Sequence, residues 1–162
     1  MNSRDLKISH LELIGNYGFD GGENIEISDS KLITKDAFWN CRNITVKNSY
    51  ISGEYFGWNS ENIVMENCTL ESLQGMCYIK GLVMKNCKLI DTTLSFEYSE
   101  VDATIEGHID SVKNPSSGGS TRDRSENSSW KMTGSIQAQR SLKQMNDRSL
   151  RIETDLRDEV RF

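Results

Sequence analysis

Ile25-Glu26-Ile27, Ile44-Thr45-Val46, Ile63-Val64-Met65 and Leu82-Val83-Met84 follow one another at intervals of nineteen residues without a gap, and Leu6-Lys7-Ile8 stands one interval earlier. Within each triplet the outer residues are apolar, the alternation expected of a half-buried β-strand. The same spacing extends outward from the triplets. Asn24, Asn43 and Asn62 stand directly before three of them; a small residue follows at Ser30, Ser49, Cys68 and Cys87; two positions later come Leu32, Ile51, Leu70 and Leu89, with Leu13 one interval before. A looser sixth copy runs through Val101, Ala103 and Ile105 and ends near Ile109. A unit this short has no room for a helix with its strands and turns. It is about half a propeller blade, and it lacks the spaced leucines of a leucine-rich repeat. One turn of a solenoid fits it. The sequence therefore predicts an all-β fold, a single-stranded right-handed parallel β-helix of about six rungs over residues 4–115. Equivalent residues should stack about 4.8 Å apart, with asparagines bonding along one corner where the turn leaves backbone groups open.

Composition narrows the partners. Among 162 residues, 24 Asp and Glu outnumber 19 Lys and Arg, giving a net charge of −5. A general nucleic-acid binder needs a basic footprint, so nucleic acid is excluded as a partner. Apolar runs are only a few residues long, which excludes a membrane span. Met1-Asn2-Ser3-Arg4-Asp5 has no apolar signal-peptide core, so the cytoplasm is the default location. Cys41, Cys68, Cys77 and Cys87 contain no CxxC pair and have no histidine cluster beside them, so neither metal nor cofactor is expected. Cys68 and Cys87 share a column and read as small buried hydrophobes. His10 and His108 lie several rungs apart, and His108 reads as a capping partner of Asp110.

Chemistry is sought on the strand after the leucine column. Alignment by nineteen gives one column of Tyr17, Asp36, Tyr55, Gln74 and Thr93, a second of Phe19, Phe38, Gly57, Met76 and Ser95, and a third of Asn40, Asn59, Tyr78 and Glu97. The intervening columns, Ala37, Phe56, Gly75 and Leu94, then Trp39, Trp58, Cys77 and Phe96, are more uniformly apolar and are expected to point inward. The outward set would then present Tyr17, Asp36, Phe38, Tyr55, Asn59, Tyr78 and Glu97 as a ligand-binding face of rings, amides and carboxylates. Such a face suits a glycan or a protein ligand without catalysis. The alternative is a carbohydrate-active enzyme, a polysaccharide lyase or glycoside hydrolase, using Asp36, Glu54, Lys80 and Glu97. Asp36 and Glu97 should lie roughly 15 Å apart by rung stacking, too far for a paired-carboxylate hydrolase. Lys35 and Glu54 should form a surface ion pair.

Five motifs occur in order: Lys35-Asp36-Ala37-Phe38-Trp39-Asn40, Gly53-Glu54-Tyr55-Phe56-Gly57-Trp58, Cys77-Tyr78-Ile79-Lys80, Phe96-Glu97-Tyr98-Ser99 and His108-Ile109-Asp110-Ser111-Val112-Lys113-Asn114-Pro115. Through residues 4–118 they resemble an uncharacterised bacterial family, domain of unknown function three-seven-three-seven. The resemblance implies a pectate-lyase-like β-helix and supplies no activity. It also implies further rungs upstream, so this chain is expected to lack an N-terminal cap and to self-associate through exposed β-helix ends.

After Pro115 the repeat stops. Residues 116–129 read as a Ser, Gly and Arg linker, and from Ser135 onward the chain reads as a polar helical or irregular tail. Members of the resembled family continue instead with a segment similar to Gly-Glu-Ile-Ile-x-Asp-Asp. Read from the third base of the Ser129 codon, Ser129 to Thr133 yields an apolar residue, then Glu, Asp or Asn, and Asp. The expectation is a frameshift near Ser117 to Thr121, which would make the chain a truncated, non-functional gene product. The coding DNA tests it: a stop in the shifted frame before that segment removes the idea.

Overall fold

A computed structural model describes residues 2–117, 119–123 and 129–133. Among these residues there is no helix. The chain coils through β1 (Arg4–Ser9), β2 (Glu12–Gly18), β3 (Glu23–Ser28), β4 (Lys31–Ala37), β5 (Arg42–Lys47), β6 (Tyr50–Phe56), β7 (Glu61–Glu66), β8 (Thr69–Gly75), β9 (Lys80–Ile90) and β10 (Val101–Glu106). Odd strands pair in parallel with odd, β1-β3-β5-β7-β9, and even with even, β2-β4-β6-β8. The long β9 continues around the corner and joins both sheets, pairing β7 through its first half and β8 through its second. About five turns result. The third side of each turn carries no strand and is built from corner residues such as 38–41 and 57–60.

The register is the sequence repeat itself. Ile25 stands opposite Ile44, Ile44 opposite Ile63, and Ile63 opposite Leu82. Leu32, Ile51, Leu70 and Leu89 stack in the same way on the other sheet. The side chains of these columns have almost no solvent exposure and form one continuous core with Ile27, Val46, Met65 and Met84. The Phe38 column also enters it. Gly57 takes its place in that column because a side chain there would collide with Ile79, and its φ of +70° favours glycine further.

Corners are held by ladders of short polar side chains. Asn62 donates to Asn43 at 3.1 Å, Asn43 to Asn24 at 2.9 Å, and Asn24 to Asp5 at 2.8 Å. Sequence periodicity shows this ladder. A second one joins Asn86, Asn67, Asn48 and Asp29, and a third joins Asn59, Asn40 and Asp20. All the asparagines in these ladders have left-handed backbone with φ between 47° and 56°. Asn tolerates that conformation better than other non-glycine residues, and its amide carries both a donor and an acceptor, so the pattern can continue from rung to rung.

The last turn departs from the repeat. Gln74 still faces Thr93 at the nineteen-residue interval. Beyond it the Phe96 N–H bonds to Gly75 O, where the Met76 N–H one rung earlier bonds to Phe56 O. One residue has been inserted, at Leu94, which has a φ of 52°. Phe96 therefore replaces Ser95 in the buried column, and Tyr98 replaces Glu97 beneath Tyr78. The stretch expected to be a linker also differs. Gly119–Asp123 forms β11 and Ser129–Thr133 forms β12, an antiparallel hairpin whose second strand runs along β10. The open edge of β10 supplies the unpaired backbone groups that draw a strand there. The helix expected from Ser135 lies outside the described residues.

Asn43 sits mid-ladder, accepting from one neighbour and donating to another. Asn43→Ala should cost about 2–3 kcal/mol, from two hydrogen bonds and a strained left-handed Cβ. Asn43→Gly should cost about 1 kcal/mol less, because it relieves the strain. Urea denaturation of both variants checks the order; equal losses would remove the conformational part of the account.

Candidate functional site

The outer surface where β2, β4 and β6 turn into the strandless side carries a run of aromatic residues. Tyr17, Asp36 and Tyr55 are register partners on adjacent strands. Trp39, just past the end of β4, places its ring 6.3 Å from Tyr17 and 6.2 Å from Tyr55, edge-on to both. The contacts continue along the solenoid axis. Trp39 to Trp58 is 6.0 Å, Trp58 to Tyr78 is 4.6 Å and Tyr78 to Tyr98 is 5.1 Å between ring centroids. Six rings thus form an unbroken stripe. Tyr17, Tyr78 and Tyr98 are about half exposed, and Trp39, Tyr55 and Trp58 are half-buried.

Two orientations differ from those expected. Phe38 is fully buried rather than on the ligand-binding face, and it packs on Phe19 with centroids 5.5 Å apart. Trp39 and Trp58 lie outward rather than inward. One cause explains both. Phe38 has a φ of 57°, and a left-handed residue breaks the period-two alternation on which the inward and outward assignment rested. Ala37 and Phe38 consequently both point to the core and Trp39 turns outward, while Asn40, itself left-handed, stays exposed as expected. The paired motifs Trp39-Asn40 and Trp58-Asn59 were the available signal, since Asn after Trp marks a turn. Tyr98 was missed because the inserted residue at Leu94 hides its place in the column.

The carboxylates fall into separate settings. Asp36, although outward, is only 3 % exposed under the surrounding rings. Its Oδ1 has no hydrogen-bond partner. Burial raises its pKa above the ordinary aspartate value, opposed by nearby Lys35 and assisted by Glu54. Glu54 pairs with Lys35 at 3.5 Å, as expected. Glu97 accepts from Gln74 at 3.2 Å and pairs with Lys113 at 3.4 Å. Lys80 lies apart from these, in register with Glu61 at the start of β9. Asn59 is exposed and belongs to a corner ladder through its bond to Asn40. His108 Nε2 lies 3.3 Å from Asp110 Oδ1 at the surface. Asp36 and Glu97 are three rungs apart, about 14 Å at the spacing of a sheet, too far for a paired-carboxylate mechanism, whereas Glu54 lies on the strand next to Asp36, near enough for its charge to raise the Asp36 pKa.

All four cysteines are free and buried. Burial pushes the Cys41 and Cys77 thiols up to about 11. The hydrogen bond with Cys68, together with burial, pushes the Cys87 thiol up. Among the described residues no three His, Cys, Asp or Glu side chains cluster as metal ligands, and no helix is long and apolar enough to cross a membrane.

A family profile described as protein of unknown function (DUF3737) matches residues 1–143. The chain belongs to this family. The match covers every turn of the solenoid and the β11–β12 hairpin, and extends past residue 118, where the motif resemblance stops. No curated protein and no solved structure matches the chain.

Two measurements follow. Asp36 binds its proton more tightly in the folded protein than in the unfolded chain, so its ionisation costs stability above the ordinary carboxylate range, and acidification below that range abolishes the cost. Asp36→Asn should therefore stabilise the protein by about 1 kcal/mol at neutral pH, with the gain vanishing at about pH 3. Thermal unfolding across that interval checks it; a gain that grows on acidification refutes the assignment. A thiol reagent at neutral pH should label none of the four cysteines in the native protein and all four in denaturant, because all four thiols are buried out of its reach.

Proposed function

We propose that this member of the DUF3737 family is a non-catalytic module that binds an extended glycan along its aromatic stripe. The observation that carries the reading is the stripe itself: six rings in mutual contact, spanning five successive turns, on the outside of a rigid scaffold. Soluble proteins rarely leave large apolar groups exposed together without use. Rings flanked by amides and hydroxyls suit sugars, whose apolar C–H faces stack while their hydroxyls bond. Tyr17, Tyr55, Tyr78, Asn59 and Glu97 supply these groups, with Trp39, Trp58 and Tyr98 added by the fold. β-Helices that act on polysaccharides offer a fold-level analogy only.

A second reading, a glycoside hydrolase or polysaccharide lyase, draws on Asp36, whose buried carboxyl keeps its proton to higher pH as a general acid must. The separation of Asp36 from Glu97 and the engagement of Glu54 by Lys35 weigh against it.

Affinity electrophoresis through gels containing soluble polysaccharides distinguishes the two. Trp58→Ala and Tyr78→Ala should each weaken retention about tenfold, the loss of about 1.4 kcal/mol of stacking, while reducing ends and unsaturated products stay at background. Retention indifferent to both variants would sink the binding reading. Product formation abolished by Asp36→Ala would install the enzyme in its place.

A further inference from the structure

The stripe contains one place where polar atoms are shut in without partners. Asp36 Oδ1 and the indole Nε1 of Trp39 are both closed to solvent, and neither makes a hydrogen bond. Both residues adjoin the same two tyrosines. Tyr17 and Tyr55 flank Asp36 on the neighbouring strands, and the Trp39 ring stands edge-on to both tyrosines. One is an acceptor and the other a donor. Leaving either buried group unmade costs about 1–3 kcal/mol, so a fold that leaves both beside the same tyrosines keeps a reserve that an incoming group can release.

The chemistry of that group is limited. A hydroxyl gives its hydrogen to the carboxylate and accepts the indole N–H on a lone pair, satisfying both atoms at once. A carboxylate or phosphate offers acceptors alone; it could take the indole N–H but would set a negative charge against Asp36. An ammonium offers donors alone and leaves Trp39 unmet. The neighbouring charges reinforce the choice. Lys35, whose charge is felt by Asp36, is held by Glu54 at 3.5 Å, and Lys113 is held by Glu97 at 3.4 Å. Each of these cations already has its anion, and Asp36 remains over, so an acidic sugar arriving here meets no uncommitted positive charge from either pair. Tyr17 is 55 % exposed, and β2 pairs with β4 on one side only, so the Tyr17 side chain can turn to another staggered rotamer and uncover Asp36 without displacing a further rung.

We propose that Asp36 and Trp39 form a hydroxyl-reading notch that makes the stripe select neutral glycans over polyuronates. The proposal rests on the stripe being a glycan-binding surface, and it adds the class of sugar and the two residues that choose it. Trp39 and Asp36 contact the ligand; Tyr17 and Tyr55 position them.

The test uses the full chain on an array of neutral hexasaccharides (gluco-, xylo-, manno- and galacto-configured) and of uronate hexasaccharides (galacturonate and mannuronate). The expected result is retention of at least one neutral member at about tenfold or more above either uronate, the discrimination a buried hydrogen-bonding site gives at minimum. Asp36→Asn should keep the β-sheet circular dichroism spectrum and narrow the neutral-to-uronate ratio about tenfold, because it removes the charge that repels acids. Trp39→Phe, which keeps a ring and deletes the N–H, should weaken the neutral member about tenfold, a single hydrogen bond. Uronates bound as well as or better than neutral sugars by the unaltered chain would overturn the notch and leave the stripe standing. Neutral preference untouched by both variants would likewise overturn it. Binding to no member of either class would overturn the notch and the glycan reading together.

Discussion

The structure depends on in-register parallel stacking. Each residue lies about 4.8 Å from its equivalent in the turn above and the turn below, so every choice of side chain is multiplied along a column. Apolar residues gain most from this arrangement. Isoleucine, leucine and methionine columns close into a continuous core with almost no exposed area, even though each turn alone is too small to bury anything. Asparagine gains in a different way. At corners where the backbone is forced left-handed, each amide bonds to the next, and three such ladders bind the turns together.

Charge must obey the same rule, since like charges stacked in register repel. Outward columns accordingly alternate. Arg4, Glu23, Arg42, Glu61 and Lys80 succeed one another along one column, with ion pairs at 3.5 Å and 3.7 Å for the first two couples. Lys47, Glu66 and Lys85 make a second such column, where Glu66 joins both lysines. These pairs are exposed and individually weak. Their service is to keep register, because a slip by one turn would set cation on cation. Asp36 stands outside the pattern. Its register neighbours are tyrosines, its Oδ1 is unpartnered, and its burial is bought with aromatic cover rather than with a counter-charge.

Irregularity concentrates on the strandless side. Left-handed residues at Phe38 and Asn40 invert the alternation twice within a few positions, sending Phe38 inward and Trp39 outward. The extra residue at Leu94 then moves Tyr98 under Tyr78 and carries the stripe one turn further. Strands leave little freedom to build a surface, because their period is fixed. Corners, where the period is broken, are where this chain assembles its distinctive one.

By itself the sequence determined the solenoid: the nineteen-residue period, the strand positions, the two apolar columns and the Asn24, Asn43 and Asn62 ladder all follow from stacking in register, and stacking preserves spacing. The Lys35–Glu54 pair was legible for the same reason. What only the tertiary structure decided is which side of the corner each ring occupies. Period-two reasoning holds while the backbone stays extended, and a single left-handed residue reverses it without leaving a unique mark in composition. The placing of Asp36 and Trp39 against the same two tyrosines is likewise a property of three adjacent turns in contact, and no one turn contains it.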